Sequence, residues 1–381
     1  MAATIHASSP PQRLLVLSQC AFGDTLVLIP ALRALRRAWP KAYTVFISEP
    51  GNAGQKVSAA AVLAGTDLVD QFECLSTPPS RLRRGLNRLR LLLLLRRHSW
   101  DLGIVLLPPV PPLTVPLIQR LSSYLRLFGA RHILAPDRVL AFSRDPAGWL
   151  NPLPHVSDTL LDLLRQHGVP SEGVSESPML PPVRDTGNTA HAIANALLCE
   201  PRQQRPSTAV RLAIAPGAQM PSKRWPIERY ADLLGRLHAD CAPRFVFLGG
   251  NADREVCEQL SRCSVDAVCV IGQPIPAVIE VMRRCDAYVG NDTGLMHTAA
   301  ALAKPCVAVF GSRDAPGAWY PYGSGHTVFR SRIACEGCLA AVCPRGDNAC
   351  LQQISVESVH RACLQLCTSI QAARAHTPNS G

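Results

Sequence analysis

Apolar and polar positions along the chain repeat one rhythm: a short apolar run, a polar or glycine-bearing turn, then a longer stretch with apolar residues at helical spacing. Runs at 13–18, 43–48, 69–75 and 101–107 predict four strands in the first half. Runs at 211–215, 245–248, 267–271, 286–289 and 305–310 predict five in the second. Helical spacing is read over 25–39, a Gly/Ala-rich segment from about Asn52, 113–128 despite Pro116, 156–167, 227–238 and 298–303. Strands that alternate with helices in this way predict an α/β fold.

Between 175 and 207 the composition shifts to clusters of Pro, Ser, Thr, Gly and Gln around a predicted helix at 188–199, and this shift sets a domain boundary. At 381 residues the chain is too long for one ordinary domain and comfortable for two. The expected division is 1–185 and 186–381, the second domain ending in a cysteine-rich loop and a closing helix. No short internal repeat is evident, so two similar α/β domains are expected rather than a solenoid.

Four turns carry candidate chemistry. In the second half, Gly290-Asn291-Asp292-Thr293-Gly294-Leu295-Met296-His297 joins a strand to an Ala-rich helix. Such a join aims the backbone N–H groups of Thr293 and Gly294 outward at a helix N-terminus, where an anion is favoured and glycine lets it approach; phosphate is the natural guest. His297 lies one turn further on the same face and offers another donor. The competing reading makes Asp292 or Thr293 a plain N-cap and His297 a core histidine. A second polar loop, 216–226, follows the 211–215 strand and holds Ser222 and Lys223, with Pro226 suited to the first turn of the next helix. The Gly249-Gly250 turn is a third helix entry at the same end of the sheet and a weaker signal. In the first half, Asp24 follows the first strand. In a doubly wound sheet it faces the ligand crevice; as a helix cap it would contribute about 1 kcal/mol and nothing else.

Composition narrows the class. Hydrophobic residues make up 47% and charged residues 18%, a globular balance, and no apolar stretch reaches the roughly 18 residues that span a bilayer. The first dozen residues lack a basic start and an apolar core, so a cytoplasmic protein is expected. The net charge of +11 predicts attraction to polyanions. With aromatics at 5% and no recognised binding module, nucleic acid is not the expected partner. The segment 81–97 carries seven arginines among leucines, too short to span a membrane; it is either a surface for an anionic acceptor or membrane interface, or a core helix with a solvated basic face. The 15 cysteines, odd in number, argue for reduced thiols. Four of them, Cys335, Cys338, Cys343 and Cys350, form C-x2-C-x4-C-x6-C, a spacing with one tight metal-ligand pair that fits no standard zinc ribbon. No metal is expected there, with these four thiols the only candidate ligands.

The segment PGAQMPSKRWP followed by GNDTGLMHTAAALAKPCVAVFG resembles glycosyltransferase family 9, the ADP-heptose:lipopolysaccharide heptosyltransferases, and SQCAFGDTLVLIPALRALRRAWP is similar to that family's first motif. The three blocks stand in matching order across most of the chain. The resemblance implies a GT-B arrangement: two Rossmann-like doubly wound domains facing across a cleft, acceptor on the first and nucleotide sugar on the second. It implies an inverting transferase that requires no metal or other cofactor. The donor would be ADP-heptose and the acceptor an anionic lipopolysaccharide core glycolipid, with peripheral contact at the cytoplasmic face of the inner membrane. Asp24 is then the general base. Lys223, Ser222, the N–H groups of Thr293 and Gly294, and His297 hold the departing β-phosphate, and Asp292 orients the donor sugar or braces its loop. Gln19, Cys20 and Phe22 depart from the family's usual aliphatic spelling, whereas Gly23 and Asp24 keep it. Other classes fit the same residues: a family 9 transferase using a different nucleotide sugar, a sugar-nucleotide epimerase or hydrolase of this fold, and a non-catalytic basic binding protein.

Overall fold

The computed structural model describes residues 10–19, 22–48, 58–63, 65–75, 81–171, 180, 189–198, 209–262 and 267–375. Cys20, the start of the helix expected from Asn52, and most of the 175–207 stretch lie outside them. The chain divides into two compact units, one of Met1–Phe142 with Leu153–Arg184 and one of Ser143–Pro152 with Asp185–Gly381.

The first unit runs β1 (Arg13–Ser18), α1 (Phe22–Val27), α2 (Ile29–Ala38), β2 (Tyr43–Ser48), α3 (Ala59–Leu63), β3 (Gln71–Cys74), α4 (Arg81–Leu95), β4 (Trp100–Val105), α5 (Val115–Leu127), β5 (Ala130–Leu134) and α6 (Val156–Gln166). Its five strands are parallel in the order β3-β2-β1-β4-β5. Leu15, Leu17, Val45 and Ile47 of the sheet pack with Leu91, Leu95, Leu121 and Leu125 of α4 and α5.

The second unit continues with α7 (Thr189–Leu198), β6 (Arg211–Ala215), α8 (Ile227–Cys241), β7 (Arg244–Gly249), α9 (Arg254–Ser261), β8 (Ala267–Ile271), α10 (Ile275–Arg283), β9 (Ala287–Asn291), α11 (Gly294–Ala301), β10 (Cys306–Phe310), β11 (Thr327–Arg330), α12 (Ala349–Gln352) and α13 (Val356–Ala375). Its six parallel strands take the order β11-β10-β9-β6-β7-β8. Both sheets are therefore doubly wound. Chain direction across the sheet reverses between β1 and β4 in the first unit and between β6 and β9 in the second, and ligands of such sheets bind outside the carboxyl ends of the strands at that reversal. Each unit has the Rossmann-like fold of which GT-B proteins carry two.

Several elements differ from the sequence expectation. The single helix over 25–39 is two helices, broken at Leu28, because Pro30 lacks an N–H and its ring crowds the carbonyl four residues back. The strand expected at 286–289 continues to Asn291, since Gly290 pairs with Ala215 and Ala308, and Asn291 with Val309. Its following helix begins at Gly294, not at Thr298. The strands β5 and β11 have no counterpart in the expected set. Both are sheet edges with few buried positions, and β5 includes Arg131 and His132, so neither presents a continuous apolar run.

Candidate functional site

In the second unit the loops after β6 and β9, neighbours at the reversal point, are tied together by one side chain. Asn291 is fully buried; its amide nitrogen donates to the carbonyls of Pro216 at 2.7 Å and Gly217 at 3.3 Å. Its carbonyl oxygen accepts from the Trp225 N–H at 3.1 Å and the Tyr230 hydroxyl at 3.0 Å. All four groups belong to the segment that leaves β6 and enters α8. Tyr288 closes the same knot by donating to the Asn291 backbone carbonyl at 2.7 Å. Burial raises both phenols, Tyr230 and Tyr288, well above their ordinary range, so both remain donors. Gly290 is required here: a Cβ would lie 2.6 Å from both the Ala215 carbonyl oxygen and the Tyr288 hydroxyl. Neither Asn291 nor Tyr288 is singled out in the sequence, where Asn291 reads as one polar residue of a turn and Tyr288 as part of the apolar strand before it.

Lys223 and Asp292 complete the link. Their Nζ and Oδ2 atoms are 2.5 Å apart, with side chains only 17% and 6% exposed. Asp314 belongs to the same group of charges. Burial raises its carboxyl above the ordinary value and Asp292 adds to this, while Lys223 and Arg313 oppose it. The Arg313 guanidinium meets Asp314 at 2.7 Å. One lysine thus stands beside two carboxylates, and Asp314 is a member the sequence did not single out.

Thr293 is the N-cap of α11, and its hydroxyl accepts from the Leu295 N–H at 3.2 Å. The N–H groups of Thr293 and Gly294 precede the first intrahelical bond, as every helix N-terminus requires. His297 sits one turn on, its N–H bonded to the Thr293 carbonyl at 3.3 Å. Its ring is buried and edge-on to Trp319, with centroids 6.4 Å apart. The turn after β7 joins them through Asp253, which accepts from the Gly250 N–H at 3.0 Å and leaves no room for a Cβ at Gly217.

Ser222 faces the cysteine-rich loop. Its hydroxyl donates to the Ala340 carbonyl at 2.7 Å and its N–H to that of Ala341 at 3.1 Å. Arg313 donates to Ala340 and Leu339 from the other side, at 3.0 and 2.7 Å. The loop that seemed separate in the sequence is thus fastened against Lys223's own turn. Cys335, Cys338, Cys343 and Cys350 all line one cavity of about 30 Å³, shared with Arg345 and Asp347, which are paired at 3.0 Å. Among the described residues, no three His, Cys, Asp or Glu side chains converge in a metal-ligand arrangement. Glu336 of this loop is buried, paired with Arg330 at 2.8 Å, and accepts from the Leu150 N–H, which fixes the Ser143–Pro152 segment in the second unit.

Asp24 lies in the first turn of α1, half-buried, at the carboxyl end of β1 beside the first unit's own reversal point. It is the third residue of the helix, within its first turn, and does not occupy the capping position. The loop 108–112 follows the other strand of that reversal, β4.

Residues 186–348 match the family model described as glycosyltransferase family 9 (heptosyltransferase). Over 107 residues the chain is 35% identical to lipopolysaccharide heptosyltransferase 2 of Escherichia coli K12, a match covering 26% of this chain and 30% of that protein. The aligned part therefore spans less than a third of the relative. Among solved structures, that of the E. coli ADP-heptose lipopolysaccharide heptosyltransferase II aligns with a TM-score of 0.64 at 20% identity, over 94% of this chain and 99% of the other. The iron-containing dodecameric glycosyltransferase TibC of enterotoxigenic E. coli aligns with a TM-score of 0.52 at 14% identity, over 95% and 77%. At such identities the structural likeness speaks for the fold.

Proposed function

The chain belongs to glycosyltransferase family 9, and we propose that it transfers heptose from ADP-heptose to a lipopolysaccharide core acceptor in the cytoplasm, with inversion and without a required metal. The observation that carries this reading is the joining of two phosphate-suited loops at one reversal point: Lys223 and the N-terminus of α11 are held together by Asn291 and by the Lys223–Asp292 pair. The heptosyltransferases similar to this chain support the choice of sugar and acceptor.

On this reading the second unit takes the nucleotide. As the glycosidic bond breaks, charge grows on the β-phosphate, and Lys223, the N–H groups of Thr293 and Gly294, and His297 stabilise it electrostatically. Lys223 then exchanges part of its contact with Asp292 for the phosphate. Asp292, in contact with Lys223, holds that side chain in place and faces the donor sugar. Ser222 acts through position: its bonds to Ala340 and Ala341 hold the turn that carries Lys223. Asp24, on the first unit, accepts the proton of the attacking acceptor hydroxyl, for which it must come within about 3 Å directly or through one water.

A second reading concerns the cysteine-rich loop, because four thiols line one cavity there and TibC is described as iron-containing. In that case the metal would brace the loop behind Ser222 and take no part in transfer.

The test is nucleotide release by the purified chain across ADP-, UDP- and GDP-sugars, with and without truncated lipopolysaccharide. Release of ADP only from ADP-heptose and only with acceptor is the expected result. Release without acceptor supports a hydrolase; no release with any donor supports a binding protein, or an epimerase if the recovered nucleotide sugar has changed configuration.

A further inference from the structure

The helix α4 faces two ways. Leu91 and Leu95 are 3% and 2% exposed and pack into the first unit's core, whereas Leu86, Leu89 and Leu93 are 59%, 50% and 59% exposed. The run of five leucines at 91–95 is thus divided by the helical period. Positions 86, 89 and 93 fall within about 60° of one another on the outward side. Single exposed leucines carry no message, but three in one stripe form a continuous apolar face. Arg90 and Arg96 flank that stripe, and both are exposed. The helix is held in this orientation by Arg96, which donates to the Leu127 carbonyl at 3.0 Å, and by the Arg88 guanidinium, 5.8 Å from the ring centroid of Tyr124. Leu127, at the end of α5, is exposed as well.

The charge around this face is one-sided. From 76 to 135 the chain has ten arginines and a single acid, Asp101. A second copy of the chain docking here would set arginine against arginine, and an acidic protein would leave the leucine stripe without an apolar counterpart. An anionic bilayer surface supplies both: phosphates for the guanidinium groups, and an acyl boundary for the leucines. Arginine suits this depth because its stem can lie along apolar surface while its head remains at the phosphates.

We propose that α4 is a membrane-binding helix that lies flat on anionic phospholipid, inserting Leu86, Leu89 and Leu93 while its arginines bind lipid phosphates. The inference extends the proposed function, since a lipid-linked acceptor lies at such a surface, but vesicle binding needs neither donor nor acceptor, so the two readings fail separately.

The test is co-sedimentation of the full chain with vesicles of phosphatidylcholine alone and of phosphatidylcholine mixed with phosphatidylglycerol, free of lipopolysaccharide. Binding is expected to the mixed vesicles, weakening as salt is raised. The exposed pair Leu89→Gln/Leu93→Gln should bind at least about tenfold less with an unchanged melting temperature. Arg90→Gln/Arg97→Gln should lose the preference for the anionic vesicles. Failure of the wild-type chain to bind the mixed vesicles would overturn the proposal, as would equal binding by the leucine variant. So would a dimer in size-exclusion chromatography with light scattering that the leucine variant converts to monomer.

Discussion

Replacing Asn291 by alanine removes a fully buried side chain that ties the loops after β6 and β9 together. The Pro216 carbonyl, the Trp225 N–H and the Tyr230 hydroxyl would each lose their partner at a fully buried position. A buried polar group left unpaired costs about 1–3 kcal/mol. Allowing for partial relaxation, three of them amount to about 3–6 kcal/mol, a large share of the roughly 5–15 kcal/mol that stabilises a domain. In a unit of about 200 residues, each kcal/mol moves the melting temperature by about 2–4 °C, so a fall of about 10–20 °C is expected by calorimetry. ADP binding by titration calorimetry should weaken in parallel even below the melting point, because the loops lose their mutual reference. Asn291→Asp separates the two halves of the side chain. It keeps the acceptor for Trp225 and Tyr230 but loses the donor to Pro216 unless the acid is protonated. Burial would raise its folded pKa above the unfolded value of about 3.9, so its stability is greatest below that value and falls as pH rises through the folded pKa. A drop of less than about 4 °C for Asn291→Ala, or an Asn291→Asp variant that stabilises with rising pH, would refute the tethering role.

Four further outcomes are expected. Lys223→Ala should cut turnover about 100-fold or more; if the lysine served only to neutralise Asp292, the double variant Lys223→Met/Asp292→Asn would recover activity, and it should not. Asp24→Asn should abolish transfer while leaving ADP affinity nearly unchanged, and near-normal turnover in that variant would remove Asp24 as the base. His326 accepts from the Cys306 N–H at 3.2 Å through Nδ1, and burial lowers its pKa from 6.5. The unfolded chain binds that proton more readily, so this stability is present above pH 6.5 and lost as pH falls through the folded pKa. The slope of melting temperature against pH in that window should disappear in His326→Asn. Metal analysis of protein purified without chelator should find substoichiometric zinc and iron; a full equivalent of either, lost in Cys335→Ser/Cys338→Ser, would favour the metal-braced reading of the cysteine-rich loop.

The order of most elements, the α/β class and the polar turns after β6 and β9 were legible because the strands of a doubly wound sheet, covered on both faces, read as unbroken apolar runs closed by polar turns. The resemblance to family 9 was legible for the same reason: the motifs that carry it are those turns. Two of the four edge strands escaped, β5 and β11, neither of which presents a continuous apolar run. Tertiary structure alone decided what the turns do to one another. Asn291 reads as one polar residue of a turn, and only the adjacency of β6 and β9 turns it into the tie between segments some 75 residues apart. Ser222 reads as a phosphate ligand, yet in the fold its hydroxyl holds a loop that lies 118 residues further on. The same holds for α4, whose leucines look alike in sequence until packing buries 91 and 95 and leaves 86, 89 and 93 outside. Local sequence sets which backbone each segment can adopt; partners distant along the chain are set by which strands lie side by side, and no local pattern contains that.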